Sequence, residues 1–165
     1  MGTLQEAIEL ESRHVPPRNE RTLPQAFELL RRAWLDGERE RELALHLMFL
    51  AFYLLIEPPS LTGLDVSKEA SRDTLRMFRE AHAWLLPDGA HSDDAEGLYV
   101  ASLTIRLGLL YDGDNGEWGQ RGVAYRARHE RLCPNGMSPD VFVGRGYYGH
   151  YFAWMLQREN DRRTP

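Results

Sequence analysis

Cysteine and β-strand patterns are nearly absent from this chain of 165 residues. The one cysteine, Cys133, cannot form an internal disulfide, and it cannot complete a cysteine-based zinc site by itself. No stretch shows a clear alternation of apolar and polar residues, so no β-sheet is expected. The net charge of −5 argues against a general nucleic-acid-binding protein, which would carry a basic surface. These absences favour a single all-α domain, and the lone thiol fits the reducing cytoplasm.

A membrane span is also missing from the sequence pattern. The longest apolar run extends from Leu43 to Ile56 and contains one strongly polar residue, His46. As a helix this run would be about 21 Å long, which is shorter than a hydrocarbon core of about 30 Å. A helix that is apolar on all sides is typical of a central core helix or of an oligomer contact. The N-terminus shows no secretory signal pattern either.

Motifs for nucleophilic catalysis and phosphate binding are not found. There is no Gly-x-Ser-x-Gly, no phosphate loop and no dinucleotide fingerprint. Glu42 and His46 are four residues apart, whereas a di-iron bundle needs Glu-x-x-His twice. The segment "DGDNGE" has Glu117 where a calcium loop requires glycine, so it is interpreted as a turn. The sequence therefore predicts no metal, no cofactor and no catalytic residue.

Apolar periodicity and helix-ending residues predict seven helices. They cover about residues 3–13, 22–35, 39–56, 67–86, 92–111, 116–133 and 138–157. The sequence "TLPQ" at 22–25 forms a capping box with proline in the first turn. Ser67, Ser92 and Ser138 are the expected caps of three later helices. We divide the chain into an N-terminal helix with a proline-containing linker (1–21), a helical-repeat domain (22–157) and a polar, frayed tail (158–165).

One phrase recurs in the helical-repeat domain. "FREAHAWLLPDG" at 78–89 and "YRARHERLCPNG" at 125–136 share their aromatic, arginine, histidine, leucine, proline and glycine positions at a separation of 47 residues. A fainter copy, "FELLRRAWLDG" at 27–37, keeps the aromatic residue and the final Asp-Gly. Each clear copy contains a helix end and a turn in which glycine accepts a positive φ. The repeat predicts three helix–turn–helix units stacked as a short right-handed α-solenoid.

The repeated unit resembles the tetratricopeptide repeat in a degenerate form. Leu107 and Gly108 followed by Tyr111 are similar to the Leu-Gly and Tyr of that repeat's first helix, and Pro134 is similar to the proline that closes its second helix. The period of the family is about 34 residues. Near the end of the second helix, His129 stands where a small residue is expected. The resemblance implies a scaffold that binds a protein or a peptide.

Three histidines on apolar helix faces are candidates for a pocket: His46, His82 and His129. His82 and His129 occupy the same place in the two clear copies of the repeat. One interpretation is packing, with a hydrogen-bonded ring close to the helix C-terminus. The other is a metal or acid–base pair, but equivalent positions in stacked helices are ~8–10 Å apart, too far to share one zinc ion. Packing is the favoured interpretation.

The last predicted helix contains the most unusual candidate surface. The stretch "GRGYYGHYFAWML" at 144–156 holds five aromatic residues and a histidine. A polar end is expected of a solenoid, so an aromatic end indicates that the first helix, a second subunit or a partner covers it. Core packing and an interface both remain open for these side chains. The candidate partner-binding residues are Arg145, Tyr147, Tyr148, His150, Tyr151 and Trp154.

Two functions from different classes are compatible with these patterns. The first is a non-enzymatic helical-repeat scaffold that binds a protein or peptide partner and can also form a homodimer. The alternative is an all-α enzyme, or a small-molecule or metal sensor, that uses His46, His82 and His129 with nearby tyrosines. The repeat, the missing catalytic motifs and the aromatic helix favour the scaffold. A fold alone does not decide between the two, because function lies in sites carried by folds.

Overall fold

Helices make up the regular structure of the protein. The computed structural model describes residues 2–62, 68–108 and 116–163, leaving out the side chains of Pro59 and Lys68. These residues contain eight α-helices and no strand, which confirms the prediction of an all-α fold with about seven helices. The helices are α1 (Thr3–His14), α2 (Leu23–Leu35), α3 (Arg41–Ile56), α4 (Pro59–Thr62), α5 (Lys68–Leu85), α6 (Ala95–Gly108), α7 (Glu117–Leu132) and α8 (Gly146–Arg163). Two 3-10 turns, Gly89–His91 and Pro139–Phe142, precede α6 and α8.

Helix α3 lies at the centre of the hydrophobic core. Every residue from Leu43 to Leu54 is buried, because α2, α5, α6 and α8 all pack against this helix. The expected core position of the apolar run is therefore confirmed. Of the described helices, none combines the length and the apolarity that crossing a membrane requires.

The first helix packs against the last one. Helix α1 contacts α2 and α8, and Ala7 and Glu11 on its inner face are buried. Gly146 permits this close approach, since a Cβ at that position would lie 2.7 Å from the Cβ of Glu11. The φ of Gly146, +62°, is also one that favours glycine. Of the three covers expected for the aromatic helix, the first helix is thus the one that lies against it within the described residues.

The three repeated phrases end in glycines with a left-handed backbone. Gly37, Gly89 and Gly136 have φ values of +96°, +56° and +82°. Helices α5 and α7 each end two residues before the proline of their phrase. Proline fixes its own φ and disfavours a helical residue before it, which accounts for both ends. The turn chemistry predicted from the phrase is therefore present at all three places.

Two helix caps differ from the prediction. Thr22 precedes α2, but its hydroxyl donates to the carbonyl oxygen of Leu10 at 2.5 Å and does not cap the helix. This hydrogen bond ties α2 to α1 in place of the expected capping box. Before α6, the carboxylate of Asp94 accepts from the backbone N–H of Gly97 at 2.9 Å. Ser92 supports this cap from outside the helix, because its hydroxyl accepts from the N–H of Asp94 at 3.0 Å.

The last helix begins later than predicted. Ser138 caps the 3-10 turn through the backbone N–H of Asp140 at 3.3 Å. Gly144 and Gly146 then redirect the chain with positive φ values, so that α8 begins at Gly146. A serine followed by proline and aspartate is a start signal for either kind of helix, which explains the difference.

The segment expected to be a frayed tail is helical up to Arg163. Glu159 pairs with Arg126 of α7 at 2.8 Å, and this contact holds the end of α8 on the protein. Gln157 also donates to Asp161 at 2.9 Å along the helix surface. These side-chain bonds supply the order that the polar composition alone does not indicate.

The structure of the linkers agrees only in part with the prediction from the sequence. Paired prolines stop α3 as expected, but Pro59 begins the single turn of α4 within the predicted loop. The predicted cap Ser67 lies outside the described residues, as do Tyr111 of the repeat motif and most of the turn at 112–117.

Candidate functional site

Charged side chains meet in the interior where α1, α3, α6 and α8 come together. Carboxylates, a histidine and an arginine are bonded to one another there, and a tyrosine hydroxyl joins them. We call this group the buried charge network, and its members are Glu11, Glu42, His46, Glu96, Arg145 and Tyr148. Buried charges with shifted pKa values are common at functional sites, which makes the network the first place to consider.

His46 lies at the centre of the network and is fully buried. Its Nδ1 is 2.6 Å from Oε1 of Glu11, and its Nε2 is 3.2 Å from Oε1 of Glu42. Burial alone would lower the pKa of His46, but the two carboxylates outweigh burial and raise the pKa to about 9. At neutral pH the ring is therefore an imidazolium that donates from both nitrogens.

Glu11 connects the first helix to the last. Its Oε2 accepts from the backbone N–H of Tyr148 at 2.9 Å, and its Oε1 faces His46. The carboxylate thus lies in the first turn of α8, where the helix dipole favours a negative charge. Both oxygens of this buried carboxylate are engaged by groups from other helices.

Arg145 joins two carboxylates from different helices. It donates to both oxygens of Glu42, from Nε at 2.5 Å and from Nη2 at 2.6 Å. Its Nη1 is 2.5 Å from Oε1 of Glu96. Burial opposes ionisation of Glu42, yet the hydrogen bonds from His46 and Arg145 lower the pKa of Glu42 to about 2. Burial also raises the pKa of Tyr148, whose hydroxyl donates to the same Oε1 of Glu96 at 2.5 Å.

The network reaches the surface through Arg41. Its guanidinium donates to both oxygens of Asp94 at 2.8 Å and to Oε2 of Glu96 at 3.0 Å. Every carboxylate of the network has a cationic partner, so no free acid or base is presented to a substrate. In the part of the chain that the structure describes, no group of three or more side chains is suited to hold a metal ion. The arrangement acts as a clamp between four helices.

Sequence reasoning missed this network, although one signal for it was present. Glu11 falls on the same stripe of α1 as Leu4, Ala7 and Ile8 at helical spacing. A carboxylate within an apolar stripe indicates a buried partner, because an unpaired charge is rarely buried. The pairing with His46, 35 residues away, follows only from the packing of the helices.

The other two pocket candidates lie elsewhere, each with its own partner. Nε2 of His82 in α5 is 3.0 Å from the hydroxyl of Tyr125 in α7. His129 of α7 donates from Nδ1 to the carbonyl oxygen of Ala95 at 2.7 Å. Burial, with Arg121 nearby, lowers the pKa of His82 to about 4, and burial also lowers the pKa of His129. Both rings are neutral at pH 7, and the three histidines share no partner among the described residues.

Most of the candidate partner-binding residues make contacts within the protein. Tyr147 and Tyr151 of α8 pack against Phe49 and Tyr53 of α3. The hydroxyls of Tyr53 and Tyr147 are 2.9 Å apart, within hydrogen-bond distance. Together with the network members at the start of α8, these side chains attach the last helix to the core.

Two of the candidates face outward. His150 is exposed, and Trp154 has half of its surface in solvent. The guanidinium of Arg158 lies over the Trp154 ring, 4.6 Å from its centroid. The outer side of α8 therefore presents the Trp154 ring covered by Arg158, and it does not form a continuous aromatic surface.

A groove with an apolar floor lies between α6 and α7. Leu103 and Ile105 form its floor, and its volume is about 350 Å³. Val123, at the edge, leaves 73 % of its surface exposed. Gly119 leaves one side of the groove open, because a Cβ at this position would have no neighbouring atom within 4 Å. Gly122 has a different effect, since it allows α7 to approach Ile105 closely. No residue of the buried charge network lines this groove.

Comparisons with known proteins add no relative. No protein-family model matches the chain, and no curated protein or solved structure matches it. The resemblance to the tetratricopeptide repeat stays a prediction from the residues, and any functional conclusion rests on the geometry described above.

Proposed function

We propose that this protein is a non-enzymatic helical-repeat scaffold, and that the groove between α6 and α7 receives a peptide segment of a partner protein. The observation that carries the proposal is the groove between the two helices, which has the exposed side chain of Val123 at its edge and the buried Leu103 and Ile105 beneath it. An apolar concave surface rimmed by polar groups is typical of a binding site. A groove of about 350 Å³ is large enough for several side chains.

The buried charge network supports the same proposal. Its paired charges hold α1, α3, α6 and α8 together, and α6 forms one side of the groove. A rigid frame lowers the conformational entropy that is lost when a segment binds. The enzyme or sensor alternative requires His46, His82 and His129 to act together, but each has separate partners.

A display library of amphipathic peptides tests the groove. The peptides are about three to four helical turns long, carry a leucine stripe and are randomised elsewhere. They are selected on the full chain and then measured on two variants. Gly119→Trp fills the groove, and Gly119→Ala adds one methyl group where the structure has open space. We expect peptides that bind the wild type and Gly119→Ala alike and that lose about tenfold or more in affinity on Gly119→Trp.

The control and the contradicting outcome are both in the same experiment. Circular dichroism of the two variants confirms that each is folded. If the library yields no peptide whose binding Gly119→Trp weakens, the groove is not a peptide site and the proposal fails. Peptides that bind all three proteins equally lead to the same conclusion.

A further inference from the structure

The two ends of the α6–α7 groove differ in their charged residues. Helices α6 and α7 are antiparallel, because the carbonyl oxygen of Ala95 at the start of α6 is bonded to His129 near the end of α7. Arg106, near the end of α6, therefore lines the end of the groove where α7 begins. Glu130 lines the opposite end.

At the Glu130 end the charges cancel. Arg126 donates to Glu130 at 3.0 Å and to Glu159 at 2.8 Å, and Arg163 is 3.8 Å from Glu130. At the other end, Arg106 is exposed, and among the described residues its guanidinium has no hydrogen bond or ion pair. Among the residues that the structure describes, the groove thus carries one uncompensated positive charge, at the end formed by Arg106.

The groove has the length of a short helix. Its lining on α7 runs from Gly119 to Glu130, which is about 16 Å or three turns at 1.5 Å per residue. Gly119 and Ala127 are small residues in this lining, and they allow a third helix to lie at an axial distance of about 8–10 Å. The groove lining contains two arginines, Arg106 and Arg126, and one glutamate, Glu130, so the lining is slightly basic although the whole chain has a net charge of −5.

We propose that the groove binds an amphipathic helix of about three turns that carries an aspartate or glutamate at the end facing Arg106. The apolar face of the bound helix lies in the groove and packs against the exposed side chain of Val123. Its carboxylate forms with Arg106 the ion pair that this arginine does not make within the described protein. The positive charge of Arg106 attracts such an acidic segment before contact. This inference rests on the proposed function and adds to it the chemical class of the partner.

The same peptide library tests the partner's charge. Selection is repeated on Arg106→Glu and, as the matched control, on Arg131→Glu. Arg131 is an exposed arginine of α7 that does not line the groove. Its reversal changes the net charge of the protein by the same amount as the reversal of Arg106. We expect Asp or Glu at one terminal position in peptides selected on the wild type and on Arg131→Glu. Peptides selected on Arg106→Glu should carry Lys or Arg at that position.

The affinity of a single selected peptide then measures how much Arg106 contributes to binding. Its affinity should fall about tenfold on Arg106→Glu, the effect of losing one charge-assisted hydrogen-bonded pair. Exchange of the peptide's acidic residue for lysine should restore binding to Arg106→Glu and weaken binding to the wild type.

Each failure has its own signature. Peptides that need an open groove but show no acidic preference would overturn this inference and leave the proposed function standing. The absence of any groove-dependent peptide would overturn the proposed function itself. Light scattering after size-exclusion chromatography tests whether a second copy of this chain occupies the groove. A wild-type dimer that Gly119→Trp converts to a monomer would assign the groove to a second copy of this chain.

Discussion

Nδ1 of His46 lies 2.6 Å from Oε1 of Glu11, and neither side chain is exposed to solvent. The two residues come from α3 and α1, and Glu11 also accepts from the backbone of Tyr148 at the start of α8. Removal of one partner from a buried ion pair leaves the other charge uncompensated. A substitution at this pair therefore acts on three helices at once.

Loss of the Glu11 carboxylate should destabilise the protein strongly. In Glu11→Ala the imidazolium of His46 and the N–H of Tyr148 lose their acceptor, so the free energy of unfolding should fall by about 3–5 kcal/mol. Urea denaturation followed by circular dichroism measures the change. Glu9→Ala, on the exposed side of the same helix, is the control and should change this free energy by less than about 0.5 kcal/mol. Similar effects of the two substitutions would contradict a buried ion pair at Glu11.

Stability should decrease at alkaline pH because of His46. Its pKa is raised from 6.5 to about 9 in the folded protein. The ion pairs of His46 therefore stabilise the fold fully below about pH 6.5, and their contribution is lost as the pH rises through about 9. Over this range the free energy of unfolding should fall by up to about 3 kcal/mol. Denaturation curves at about pH 6 and about pH 10 measure this, and His46→Gln should show a smaller difference. An unchanged difference in the variant would exclude His46 as the cause.

His82 should respond in the opposite direction. Its pKa of about 4 lies below that of the unfolded chain, so its neutral ring stabilises the fold above about pH 6.5. This contribution is lost as the pH falls through about 4. In an NMR titration the ring signals of His82 should stay constant above about pH 6, whereas those of His46 should titrate near pH 9. A midpoint near 6.5 for either ring would contradict its described environment.

The hydroxyl of Tyr125 should also contribute to stability. Tyr125→Phe leaves Nε2 of the buried His82 without its partner at 3.0 Å. The free energy of unfolding should fall by about 1–3 kcal/mol, the usual effect of an unsatisfied buried polar atom. Urea denaturation at neutral pH measures the loss, and no loss would mean that the ring finds another partner.

Two glycines of α7 should respond differently to the same substitution. A Cβ at Gly119 meets no atom within 4 Å, so Gly119→Ala should raise the free energy of unfolding by about 0.5–1 kcal/mol through reduced backbone entropy. A Cβ at Gly122 would lie 3.2 Å from Cγ2 of the buried Ile105. This crowding should leave Gly122→Ala less stable than Gly119→Ala by about 1 kcal/mol or more. Thermal unfolding of the two variants compares them, and equal stabilities would mean that Ile105 moves without cost.

Local signals in the sequence were sufficient to predict several helix ends and turns. Proline after α5 and α7 and glycine in the following turns act on their own residues, so these helix ends were predictable. The run from Leu43 to Ile56 was predictable as a core helix because it has no polar face. The start of α8 was not, since the signal at Ser138 begins a 3-10 turn and the chain then turns again before Gly146.

The buried charge network and the groove depend on contacts that local patterns do not contain. The bond between Glu11 and Tyr148 joins residues that are 137 positions apart. Periodicity indicates that Glu11 is buried, but the partner is determined by the packing of four helices. The groove arises in the same way, because glycines at 119 and 122 leave space only once α7 lies against α6.

The contact between α1 and α8 also has a consequence for the order of events during synthesis. The ribosome produces Glu11 long before it produces Tyr148, and the intermediate helices can collapse around α3 in the meantime. During that interval the carboxylate of Glu11 lacks the backbone N–H of Tyr148 that donates to it in the folded protein. The contacts between α1 and α8 can therefore form only after translation has passed through α8, although α1 can already pack against α2.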